Sequence, residues 1–111
     1  RYTFGGLWEI EPRELIDAAT GVQIVDVREA DEFSGPFGHI PQARSIPLGE
    51  LAARHRELAR DRPVVAVCRS GSRSARAVAI LQQAGFAQVA NLAGGMLRWH
   101  VDGGRVDGAQ D

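Results

Sequence analysis

Three short, β-branched, apolar runs recur along the chain: VQIVDVR at 22–28, PVVAV at 63–67 and AQVANL at 87–92. Runs this short and this apolar suit strands buried in a sheet. The segments around them have helical character. LGELAARHRELARD, 48–61, is helical in composition and period, and SARAVAILQQAG, 74–85, predicts a strong helix stopping at Gly85. At the amino end, LWEIEPRELIDAAT reads as a short strand and a helix opening near Pro12, a residue tolerated in a first helical turn. GGMLRWH, 94–100, reads as a short last helix, whereas ADEFSGPFGHIPQARSIPL, 30–48, has the glycine and proline density of a loop. Strands alternating with helices indicate an α/β domain with a mostly parallel sheet.

A length of 111 residues suits one compact domain over 1–111, with a core from about 7 to 100 and a mobile polar, glycine-rich tail over 101–111. A hydrophobic share of 44% is enough to build that core. The one cysteine, Cys68, excludes an internal disulfide and a multi-cysteine zinc site. His39, His55 and His100 lie far apart without ligand spacing, so neither a metal nor a cofactor is expected. No apolar run approaches the roughly 20 residues of a membrane span and no signal peptide is visible. No membrane partner is expected, and a cytoplasmic location is the default. Every basic residue is Arg apart from the histidines, yet the formal net charge is -1 and no long basic stripe exists. Nucleic acid is therefore not expected as the main partner.

Cys68 stands at the carboxyl end of the 63–67 run, where ligands sit in parallel sheets. Behind it, CRSGSR runs into the helix expected near Ser74. A short loop entering a helix aims several backbone N–H groups at one point, and the helix dipole adds positive potential. Gly71 permits a positive φ and a close approach of backbone to ligand. Arg69 and Arg73 add permanent charge. Such a setting favours the thiolate, the nucleophilic form, without a histidine base. Ser74 reads as the helix N-cap, and Arg76 as a solvated helix charge.

The motifs IVDVRE at 24–29, GHIPQA at 38–43, VCRSGSRS at 67–74 and NLAGGMLRW at 91–99 together resemble the rhodanese family, over roughly Leu7 to Trp99. The resemblance implies a three-layer α/β fold, with a central sheet of about five strands flanked by helices. It also implies a sulfurtransferase in which Cys68 takes a sulfane sulfur as a persulfide and yields it to a thiol or cyanide. Arg69, Ser70, Gly71, Ser72 and Arg73 would form the substrate-binding loop. Arg69 or Arg73 would hold an anionic donor, such as thiosulfate or a small-molecule persulfide. A partner protein or domain is a further acceptor for the sulfur. Asp26 and Arg28 match positions near the family's site, although an ion pair tying the strand end to Asp31 or Glu32 is the favoured reading for them. The family usually carries Gly where this chain has Gln42, and the segment from Phe33 to His39 is about two residues longer than its common form. His39 is read as ordering its loop, and Met96 and Trp99 as packing. Two alternatives differ in chemistry. A related phosphatase or arsenate reductase would use a loop one residue longer, and a regulatory or sulfur-relay module would belong to a larger protein.

Overall fold

The computed structural model describes residues 8–17 and 21–108. Five strands occur in it: β1 (Glu9–Ile10), β2 (Gln23–Asp26), β3 (Arg44–Ser45), β4 (Val64–Val67) and β5 (Val89–Leu92). They form one sheet in the order β1-β5-β4-β2-β3, and every pairing is parallel. β4 lies at the centre. It pairs with β2 from Gln23↔Val64 to Asp26↔Val67, and with β5 from Val64↔Val89 to Ala66↔Asn91.

Strand alternation divides the core into two layers. Val64, Ala66 and Cys68 point to one face of the sheet, where Leu51, Ala77, Val78 and Leu81 pack from α3 (Leu48–Arg54) and α4 (Ser72–Gln83). Val65 and Val67 point to the other, against Leu15 of α1 (Pro12–Asp17) and Met96 and Trp99 of α5 (Gly95–Val101). The result is the expected three-layer α/β fold with five strands, and here all of them are parallel. β4 is apolar throughout because both of its faces are covered. No helix among the described residues is long and apolar enough to cross a membrane.

Several expectations need correction. The segment read as loop contains a four-residue helix, α2 (Ala30–Phe33), and the two-residue strand β3. α2 opens with a capping box in which Glu29 and Glu32 satisfy each other's backbone N–H. The stretch 48–61 is not one helix, because α3 gives way to a 3₁₀ turn at His55–Glu57. α4 starts at Ser72 rather than near Ser74. Gly71, at φ 111°, turns the chain into the helix, so Ser74 is inside the first turn and is not the N-cap. The segment expected to be a mobile tail folds back on the body as far as Gly108. His39 and Asp107 exchange backbone hydrogen bonds of 3.0 and 2.9 Å, and the Trp99 indole donates to the Arg105 carbonyl at 3.0 Å. Residues 109–111 lie outside the described residues.

The longer 33–39 segment is braced by its own side chains. His39 stacks on Phe33 with ring centroids 3.8 Å apart, and its Nδ1 lies 3.1 Å from the Phe33 carbonyl oxygen. This accords with a role for His39 in ordering the loop. Gln42, which departs from the family's usual Gly, has φ 68° and is the one non-glycine with a positive φ among the described residues.

Candidate active site

Cys68 follows the last residue of β4, so its side chain continues the alternation toward α4. The residue is 0% exposed. The Gly71 N–H donates to Sγ at 3.0 Å, and the Ser74 hydroxyl lies 3.3 Å from it. Burial pushes the thiol's pKa up. The Ser74 hydroxyl and the amides of Ser74, Gly71 and Ser70 outweigh that effect, and the thiol titrates below its ordinary value. The strand end and the first turn of α4 thus place several donors around one sulfur. The sequence reading also enlisted Arg69 and Arg73, but the amides and the hydroxyl lead.

α5 supplies a second support, from beneath the loop. Met96 N donates to the Cys68 carbonyl at 2.9 Å, and Leu97 N to the Arg69 carbonyl at 3.0 Å. The approach is possible because position 95 is glycine. A Cβ there would lie 2.5 Å from the Cys68 carbonyl oxygen and 2.6 Å from the Arg69 carbonyl carbon. Gly94 and Gly95 both take positive φ, 73° and 57°. The sequence reading assigned this motif to packing. That holds for Met96 and Trp99, which are buried, but it missed the two glycines. Their signal was the GG pair itself, standing between a strand and a helix.

The two loop arginines are not equivalent. Arg73 makes a bidentate ion pair with Glu32, at 2.6 and 2.9 Å. That hydrogen-bonded pairing leads the effects that take the Glu32 pKa down to about 2, and it raises that of Arg73. Arg69 is exposed and makes no ion pair among the described residues. Ser70 and Ser72 are also exposed, on the loop's outer side, and so is Arg76.

Asp26 and Arg28 are brought together, though not with the partners expected. Arg28 Nε and Nη2 reach the Asp26 carboxylate at 2.9 and 2.7 Å, with both side chains almost wholly buried. The guanidinium also donates to the carbonyls of Glu32, at 3.1 Å, and Gly38, at 2.8 Å. Arg28 therefore pairs with Asp26, and holds Glu32 through its backbone only. So employed, the pair acts as a brace between β2 and the 32–38 segment. Two further residues escaped the sequence reading. Glu32 fixes Arg73, and Asn91, buried on β5, contacts both the Ser74 hydroxyl and the Gly71 carbonyl. Among the described residues, no group of three or more His, Cys, Asp or Glu side chains is placed to hold a metal ion.

Fold and site define a class: parallel α/β proteins with one cysteine in an amide-lined loop at a strand's carboxyl end. The family model Rhodanese-like domain matches residues 11–102, and the chain belongs to that family. It is 43% identical over 84 residues to the uncharacterized protein YqhL of Bacillus subtilis, covering 76% of this chain and 63% of that protein. To a sulfurtransferase of Allochromatium vinosum it is 42% identical over 78 residues, covering 70% and 71% of the two chains. The crystal structure of a rhodanese-related protein from Thermoplasma volcanium superposes with a TM-score of 0.84 at 32% identity, over 91% of this chain and 98% of that one.

Proposed function

We propose that the protein is a sulfurtransferase that moves sulfane sulfur through a Cys68 persulfide. The observation that carries this reading is the sulfur's surroundings: a backbone amide at 3.0 Å and a hydroxyl at 3.3 Å. A thiolate is stabilised there without a general base, and the covalent route needs an activated thiolate. The name of the Allochromatium relative supports the same chemistry.

In the first half-reaction the Cys68 thiolate attacks the outer sulfur of the donor. The donor's S–S bond breaks, and its electron pair leaves with sulfite from thiosulfate, or with a thiolate from a persulfide. In the second, a thiol or cyanide attacks the outer sulfur of the Cys68 persulfide, and the Cys68 thiolate departs. The sequence is redox-neutral and needs no cofactor. Arg69 is the loop cation available to an anionic donor, since Arg73 is engaged by Glu32. The exposed Ser70 and Ser72 form the rim across which the donor approaches. The acceptor is a small thiol, cyanide, or a cysteine of a partner protein or domain. The phosphatase alternative would need an arginine turned into the loop, and the tether on Arg73 weighs against it.

Intact-protein mass spectrometry tests the intermediate. Donor without acceptor should leave the protein heavier by about one sulfur atom, and cyanide or dithiothreitol should remove it. Cys68→Ser should gain nothing. Turnover without any adduct would exclude the covalent route. Neither turnover nor adduct with any donor would favour the regulatory-module reading.

A further inference from the structure

Ser74 has one hydroxyl hydrogen and two neighbours that compete for it. Its Oγ donates to Asn91 Oδ1 and also lies 3.3 Å from Cys68 Sγ. Asn91 cannot simply reverse its amide, because Nδ2 donates to the Gly71 carbonyl at 3.3 Å. Turning the amide over would set two acceptor oxygens against each other. Both Ser74 and Asn91 are buried, at 0% and 4% exposure, so no bulk water replaces a lost partner. With its hydrogen committed to Asn91, Ser74 can only accept from the sulfur. That arrangement belongs to the protonated thiol, S–H to Oγ and O–H to Oδ1. A thiolate requires the reverse: the hydroxyl must turn to the sulfur, and Oδ1 then loses its donor.

We propose that Asn91 is a positioning residue that sets the direction of the Ser74 hydroxyl, holding its hydrogen away from Cys68 in the resting thiol and releasing it when the thiolate forms. The inference rests on Cys68 being the nucleophile. Asn91 thereby opposes ionisation, while the Gly71, Ser70 and Ser74 amides favour it. Its use lies in reactivity. A thiolate stabilised too far is a poor nucleophile, because nucleophilicity falls with thiol pKa. Asn91 keeps the sulfur basic enough to attack, while its Nδ2 holds the Gly71 carbonyl, which belongs to the peptide after the one whose N–H faces the sulfur. The charged groups around the thiol do not substitute for this control. Arg73 on α4 is paired with Glu32 of α2, Asp26 and Arg28 at the end of β2 are paired with each other, and Arg69 is turned to solvent. α5 meets the loop through backbone amides.

The test is iodoacetamide alkylation of the full chain, followed against pH for wild type, Asn91→Leu, Ser74→Ala and the double variant. Leucine is close to asparagine in shape and has no acceptor. The Asn91→Leu midpoint should fall by about one pH unit, as an acceptor no longer goes unsatisfied in the thiolate. The rate at the high-pH plateau should fall about threefold with it. In the Ser74→Ala background, adding Asn91→Leu should leave the midpoint where it was. An unchanged or raised midpoint in Asn91→Leu overturns the proposal, as does an equal fall in the Ser74→Ala background. If Asn91→Leu does not fold, the wild type supplies the answer. Its Asn91 carboxamide nitrogen resonance should titrate with the alkylation midpoint, and a resonance that ignores that midpoint overturns the proposal. Alkylation needs no sulfur donor, so these outcomes are independent of whether the mass adduct forms.

Discussion

Two arginine–carboxylate pairs meet at Glu32, and they do different things. Arg28 holds Asp26 in the interior, where side-chain exposures are 2% and 1%, and spends further donors on the carbonyls of Glu32 and Gly38. Arg73 holds the Glu32 carboxylate at 34% and 29% exposure. The chemistry is the same and the surroundings differ. In the interior, removing one partner strands a charge with no water to receive it. Near the surface, solvent receives the freed group, and what changes is the local field around the cysteine loop. The first pair braces the fold, and the second tunes it.

The contrast predicts its own hierarchy. Arg28→Ala should be the most damaging change, costing about 3–5 kcal/mol because Asp26 is left buried and unpaired. Urea unfolding measures it, and a loss below about 1 kcal/mol would erase the distinction between the pairs. Next come the loop arginines. Arg69→Ala should lower kcat/KM for thiosulfate by about ten- to a hundredfold, since a charged contact is worth roughly 1.5–3 kcal/mol. Arg73→Ala should lower it less, because Glu32 already engages that cation. Equal losses would mean that Arg73 leaves Glu32 when the donor binds.

Glu32→Gln should cost about 1 kcal/mol at neutral pH, a value set by its partial exposure and not by the full pKa change. The folded-state pKa lies below the ordinary 4.5, at about 2. The stabilisation is therefore complete above pH 4.5 and is lost as the pH falls toward 2. The gap between wild type and Glu32→Gln, followed by acid-dependent thermal melting, should close across that window. A gap that persists at pH 2 would mean that the carboxylate is not the source. The smallest effect lies outside both pairs. Gln42→Gly should stabilise by about 0.5 kcal/mol, because relief of the left-handed backbone slightly exceeds the added freedom of the unfolded chain.

What could be read in advance followed from local pattern. β2, β4, β5 and α4 are long enough for periodicity and composition to show them. The placing of backbone donors around Cys68 was legible too, because a strand, a glycine and a helix start stand within a few residues. α2 and β3 were not legible, since four residues and two residues are too short to carry a period. Ser74 was misread as a cap because the helix start was set two residues late, and only the φ of Gly71 fixes it. Asn91 and Glu32 could not be found locally at all. The contact of Asn91 with Ser74 depends on the parallel register that sets Asn91 beside Ala66, and the contact of Glu32 with Arg73 joins residues 41 positions apart.

The loop's support from α5 bears on how the protein comes into being. Cys68 lies past the middle of the chain, but Asn91, Met96 and Leu97, which close the site from below, lie near its carboxyl end. The loop that carries Cys68 therefore precedes in the chain every group that holds it from below. Contacts that distant in sequence form late in folding, after the intervening loop has closed. A chain ending before residue 91 would keep the Gly71 and Ser74 donors but lack Asn91, Met96 and Leu97, so the loop's full set of contacts is complete only once α5 has docked.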